Sequence, residues 1–298
     1  MFAMTVGLAA VLTAADVRML ARPEGVIAYE VFGTEGPWVL AAPGIGDVRA
    51  QYRFLAPQLV ARGYRVVLMD LRGLGGSSAT FSVYSADAVG DDMIALLREL
   101  GAKRASIIGN SASAASAVWA AAALPDVVDD IVLIGPFVRE VPTPWYQRAL
   151  LGVAFNGFWG RPTWMAYYAS LYPTAKPPDF AAYRAQLSAS LDGRMQVVNA
   201  MLGASKAACE AKLPEVRARA LVVMGSRDPD FRNPPDEAQR VATALRGEVL
   251  MIDGAGHYPH AEMPDLTGAG IVEFLERDTT AQRSDSADVV AGRGGDGR

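Results

Sequence analysis

The chain has 298 residues, 51% hydrophobic and 20% charged, with a formal net charge of −4 and a pI near 5.3. That length can bury one large core, or a core carrying an insertion, so disorder is excluded as the state of the body of the chain. The slightly acidic balance leaves no broad basic face, and no nucleic acid is expected as a partner.

From the amino end, residues 1–15 form an apolar, alanine-rich extension ending before Asp16. It lacks a positively charged start and is too short to cross a bilayer as a helix. A signal peptide ending near Ala15 is the alternative, which would make the protein secreted rather than cytoplasmic. No other stretch is long and apolar enough to span a membrane. Val26 to Phe32 alternates as a half-exposed strand does. Near-continuous apolar runs follow at Trp38–Ala42, Arg65–Met69, Ala105–Ile108, Ile131–Ile134, Ala220–Met224 and Glu248–Ile252. Such runs suit parallel strands covered on both faces.

Helical segments fall between them. Arg53 to Arg62 is amphipathic and stops at Gly63, a residue that accepts the left-handed conformation ending many helices. Asp87 to Leu100 spaces Val89, Met93, Leu96, Leu97 and Leu100 along one helical face. Ser111 to Ala123 is rich in Ala and Ser and ends before Pro125. From Phe137 to about Pro214 no good strand is legible, only helix-like segments bearing Trp145, Tyr146, Phe155, Phe158, Trp159, Trp164, Tyr167, Tyr168 and Tyr172. So many aromatics in a small subdomain are hard to bury completely, which implies an apolar roof over a pocket. The expected organisation is a core of residues 16–136 and 215–278, a helical cap over 137–214, and a disordered polar tail over 279–298.

Chemistry concentrates at three places. Gly109-Asn110-Ser111-Ala112-Ser113 leads from an apolar strand into the Ala-rich helix, as in a nucleophile elbow, a sharp turn that exposes a serine hydroxyl. Small neighbours suit that crowded turn. On these residues alone, Ser111 could instead merely cap the helix. The chain holds only two histidines, His257 and His260. His257 follows a strand end and a Gly-rich turn, where a loop would present a general base; His260 is expected to pack beside it. Asp228, just after the run Ala220–Met224, is the expected acid that orients the base, with Asp230 as its competitor. The lone Cys209 is expected to be a small buried apolar residue, with no intramolecular disulfide.

Together these segments resemble the α/β-hydrolase superfamily from Val26 to Glu276, and Ser, Asp, His is that fold's chain order. The resemblance implies further roles. Ala42-Pro43-Gly44-Ile45-Gly46 is similar to the family's His-Gly oxyanion segment, with Pro43 in place of the histidine. It points to the backbone N–H of Ile45, with that of Ala112, as the oxyanion hole. Ser113 in place of the second elbow glycine is the other departure. Asp70-Leu71-Arg72-Gly73-Leu74-Gly75-Gly76-Ser77 is similar to a family loop segment of structural purpose, and a helical cap before the acid-bearing strand is common in the family.

The expected fold is therefore α/β, a doubly wound, mostly parallel sheet flanked by helices, with an inserted helical cap. The expected activity is hydrolysis of a small or medium ester, or related acyl compound, through an acyl-enzyme on Ser111. Carbon–carbon bond hydrolysis, perhydrolysis and a non-catalytic ligand-binding role on the same scaffold are the alternatives. The expected partner is a small acyl substrate with an apolar portion. No cofactor is expected, because the glycine clusters complete no phosphate-binding motif. No metal is expected either, because His257 and His260 lack further ligands nearby in sequence. Oligomeric state stays open.

Overall fold

The computed structural model describes residues 16–140 and 152–277. The amino-terminal extension, the tail from residue 279, Trp145 and Tyr146 lie outside the described residues. One eight-stranded sheet organises the chain, in the order β1-β2-β4-β3-β5-β6-β7-β8. Strands β1 (Arg18–Arg22) and β2 (Gly25–Phe32) pair antiparallel, and β2 runs antiparallel to β4 (Arg65–Met69). From there β3 (Trp38–Ala42), β5 (Ala105–Asn110), β6 (Val128–Ile134), β7 (Arg219–Gly225) and β8 (Glu248–Ile252) are all parallel.

The near-continuous apolar runs are explained by two separate cores. Leu40, Val67, Ile107, Leu133 and Val222 join one core, while Val39, Val66, Ile108, Val132 and Leu221 join the other. Alternate side chains thus leave the sheet on opposite faces, and both faces are dry. Each such burial is worth ~2 kcal/mol, so a polar residue at any of these positions would be costly.

Helices cover both faces. On one lie α1 (Leu55–Ala61) and the helix over residues 264–277, whose Leu59, Ile271 and Phe274 share a core. On the other lie α2 (Ala86–Glu99), α3 (Ser113–Ala123) and, late in the chain, a helix at Pro234–Leu245, contributing Met93, Val118 and Val241. The fold is the expected α/β arrangement.

Sequence patterning did not reveal β1, because only Leu20 of its five residues is buried and no alternation results. Helix α3 begins at Ser113 rather than Ser111, since Ser111 has a left-handed φ of 58°.

Between β6 and β7 the described residues hold helices and no strand: α4 (Gly160–Ser170), α5 (Phe180–Ser190), α6 (Met195–Gly203) and α7 (Ala207–Glu210). This helical insertion buries Trp164, Tyr168, Tyr172, Tyr183 and Leu187 in continuity with the core on one face of the sheet, while Phe158 stays 88% exposed. It is fastened to the body by Arg53, which holds Asp179 through two hydrogen bonds of 2.6 and 2.7 Å and lies 3.9 Å from the Tyr183 ring centroid. No helix among the described residues is long and apolar enough to cross a membrane.

The loop carrying Asp70 to Ser77 is a structural node. Arg72 is buried and donates to both oxygens of the fully buried Asp92, and to the carbonyls of Val83 and Ala88. Asp92 also receives Arg22 from β1, at 2.9 Å. Ser77 accepts from the Ala28 N–H at 3.0 Å, which locks the loop to β2.

Candidate active site

The carboxyl ends of β3, β5, β6 and β7 converge on one cavity of about 320 Å³. Its wall includes Ser111, His257, Ile45 and Ala112. Ser111 directly follows β5, and its backbone is pinned to β6 by Ser111 N–H to Ile134 O at 2.8 Å and Phe137 N–H to Ser111 O at 3.1 Å. A serine at positive φ is strained, and the surrounding bonds hold it there. Gly109 makes the turn sterically feasible, because a Cβ there would lie 2.3 Å from the Ser113 carbonyl oxygen.

The two departures from the family pattern touch each other. The Ser113 hydroxyl donates to the Pro43 carbonyl at 2.5 Å, tying the elbow to the loop after β3. That loop is held a second time. Gln51 accepts from the Gly44 N–H at 3.2 Å and donates to Asn110 Oδ1 at 2.8 Å, while Asn110 Nδ2 donates to the Ile134 and His257 carbonyls. Neither the Ile45 nor the Ala112 backbone N–H has a hydrogen-bond partner among the described residues, so both amides are free beside Ser111.

On the loop after β7, Asp228 is buried behind His257, and its Oδ2 lies 2.8 Å from His257 Nδ1. The Asp230 N–H donates to Asp228 Oδ1 at 3.0 Å, which fixes the carboxylate's orientation. With a carboxylate facing it, Nδ1 carries the proton, and Nε2 on the far edge of the ring is the basic nitrogen. Burial opposes a charge on His257, but the adjacent Asp228, by hydrogen bond and charge, and then Asp230 more than offset it. The ring is pushed up to about 9.

Asp230 lines the cavity instead of closing on the ring: its nearer oxygen is 3.7 Å from Nδ1, and it accepts the Tyr167 hydroxyl of α4. Burial raises its carboxyl above the ordinary value, and Asp228 adds to that rise against the pull of His257. His260 is buried against Tyr52, with ring centroids 5.1 Å apart, and burial lowers it to about 3, so it stays neutral.

Asp228, Asp230 and His257 could in principle offer three metal ligands within 4.8 Å of one another. A cation at ~2.1 Å from both the Asp228 oxygen and Nδ1 would need those atoms roughly 3 Å or more apart. The 2.8 Å contact fits a direct hydrogen bond instead.

Sequence reasoning missed Gly135, Gln51 and the Tyr167–Asp230 contact. Gly135, at φ 52°, leaves room for the Asp228–His257 pair, since a Cβ there would sit 2.9 Å from His257 Nδ1. Of the insertion's side chains, Trp164, Tyr167 and Leu202 line the cavity, together with Phe137.

A parallel sheet with a left-handed serine elbow after a central strand, and an Asp–His pair on later strand-end loops, defines the α/β-hydrolase class of proteins. The model of the alpha/beta hydrolase family matches residues 39–269, and the chain belongs to this family of enzymes. It is 27% identical over 249 residues to a 2-(acetamidomethylene)succinate hydrolase of Mesorhizobium japonicum, covering 81% of this chain and 88% of that protein. Among solved structures, a bromoperoxidase from Bacillus anthracis superposes with a TM-score of 0.76 at 18% identity, over 88% of this chain and 100% of that one. A thermophilic esterase from Thermogutta terrifontis superposes with a TM-score of 0.73 at 24% identity, over 88% and 99%.

Proposed function

We propose that the protein is a serine hydrolase that cleaves a small or medium ester, or related acyl compound, through an acyl-enzyme on Ser111. One observation carries this reading: a left-handed serine elbow shares a cavity with a histidine that is hydrogen-bonded to a buried carboxylate. In this mechanism the Ser111 hydroxyl attacks the acyl carbon as His257 Nε2 takes its proton, and Asp228 holds the imidazolium. The oxyanion forms against the free Ile45 and Ala112 amides, worth ~3 kcal/mol each to the transition state. The tetrahedral intermediate then expels the alcohol, which receives the proton from Nε2. Water, deprotonated by the same nitrogen, attacks the acyl-enzyme, releases the acid and restores the serine hydroxyl.

The helical insertion over residues 137–214 acts as the cap on a core of residues 16–136 and 215–278, and its aromatic side chains seat the apolar part of the substrate. Cys209, the sole cysteine and buried, fits a protein working in the cytoplasm.

A fluorophosphonate probe tests the reading. A single adduct on Ser111, lost in Ser111→Ala together with cleavage of chromogenic esters, is the expected result. Folded protein that takes up no label would leave the ligand-binding alternative standing.

A further inference from the structure

Among the described residues, four charged ones line the cavity beside His257: Arg139, Glu140, Asp230 and Lys206. Three are committed to partners within the protein. Arg139 grips Glu237 through Nε at 3.0 Å and Nη2 at 2.5 Å. Glu140 accepts from the Lys206 backbone N–H at 2.6 Å and from the Ser205 hydroxyl at 3.0 Å. Asp230 accepts the Tyr167 hydroxyl at 2.7 Å.

Lys206 differs. Its backbone is anchored by Glu140, yet its ammonium makes no hydrogen bond or ion pair among the described residues. The side chain is half-buried, and burial holds its ammonium below the ordinary lysine value, with Glu140 drawing it part of the way back. Lys206 also borders a small hollow shared with Ile45, Ala112 and Ser116, so it lies on the same wall as the residues flanking Ser111.

A cation withdrawn from water without a contacting anion is unfavourable, and an anion arriving at it recovers that loss. The remaining wall is largely apolar, with Ile45, Phe137, Trp164, Leu171 and Leu202, so Lys206 is the group able to select for charge. We propose that Lys206 binds a carboxylate on the substrate, and that the enzyme acts on anionic acyl compounds such as monoesters of short dicarboxylic acids. A cavity of about 320 Å³ suits a substrate of that size. The proposal rests on the serine hydrolase reading for its chemistry, though not for the binding itself.

The test compares mono-4-nitrophenyl glutarate with a neutral 4-nitrophenyl alkanoate of matched length. In wild type the ratio of kcat/KM, anionic over neutral, should exceed one. In Lys206→Met that ratio should fall about 10- to 100-fold, as expected for losing a charge-assisted contact, while Lys206→Arg should keep most of it. Independently, glutarate should bind Ser111→Ala by calorimetry and bind Ser111→Ala/Lys206→Met at least about tenfold more weakly. An unchanged ratio in Lys206→Met, or equal glutarate affinity for both Ser111→Ala proteins, overturns the assignment. If no ester is cleaved and Ser111 takes no label, the hydrolase reading fails, and glutarate binding still decides the role of Lys206.

Discussion

Replacing Asp228 by asparagine removes one charge and almost no volume, and the geometry dictates where the amide must sit. Asp228 Oδ1 accepts the Asp230 N–H at 3.0 Å, so the asparagine carbonyl keeps that place. Its NH₂ then occupies the Oδ2 position, 2.8 Å from His257 Nδ1, and presents a donor where an acceptor stood. Nδ1 must become the acceptor, which moves the ring proton to Nε2, the nitrogen needed to take the Ser111 proton. Loss of the right tautomer and of the imidazolium's counter-charge should lower kcat by ~10³- to 10⁴-fold, or ~4–5 kcal/mol.

The same change shifts the pH profile. His257 is held up at about 9, chiefly by Asp228 against burial, and the base works only when neutral, so wild-type kcat/KM should climb through alkaline pH. Without the carboxylate the ring's pKa falls, and the residual activity of Asp228→Asn should reach its plateau at lower pH. Asp230→Asn, which removes a carboxylate 3.7 Å away that makes no hydrogen bond to the ring, should cost less than about tenfold and move the limb only slightly. The assay is kcat/KM for a chromogenic ester from about pH 6 to 10, with circular dichroism confirming the folded state. Equal losses in the two variants, or an unmoved limb in Asp228→Asn, would refute the reasoning.

Three other outcomes follow from the same structure. Gly109→Ala places a Cβ 2.3 Å from the Ser113 carbonyl oxygen, a backbone atom, so urea unfolding should show a loss of ~3 kcal/mol or more; wild-type stability would contradict the elbow geometry. Arg72→Met strands the fully buried Asp92 with Arg22 alone and should cost ~3–5 kcal/mol, part of which Arg72→Met/Asp92→Leu should restore; an undiminished Tm would sink this view of the node.

Asp47 is fully buried, and burial raises its carboxyl from 3.8 to about 6, against hydrogen bonds from Tyr183 and Val48. A raised acid stabilises the fold below its unfolded pKa and loses that stability as pH rises through about 6, so Asp47→Asn should gain on wild type by up to ~3 kcal/mol between about pH 4 and 7.5. A stability difference that does not change with pH would show that Asp47 ionises in the folded state as it does in water.

The fold was legible because the sheet writes itself into the chain as short, nearly continuous apolar runs at regular intervals, as strands buried on both faces do. Strand β1 was not legible, since one buried leucine leaves no period to read. The positions of Ser111, Asp228 and His257 were legible because each follows a strand end, and strand ends in a parallel sheet open on one side. What supports them was not. Gln51 and Asn110 are 59 residues apart, and Tyr167 and Asp230 are 63 apart, so no local spacing announces either contact. Ser113 and Pro43 are 70 residues apart, so no local spacing announces the bond from the hydroxyl to the carbonyl.

The helical insertion also reaches the loop that carries His257. Here the His257 backbone N–H donates to the Leu171 carbonyl at 3.0 Å, and Glu262, just beyond the histidine, accepts from the Thr174 and Ala175 N–H groups at 2.9 and 2.8 Å. The stretch after α4 therefore serves as scaffolding for the loop that carries His257. Residues Leu171 to Ala175 and the His257 loop form one hydrogen-bonded unit drawn from two distant parts of the chain.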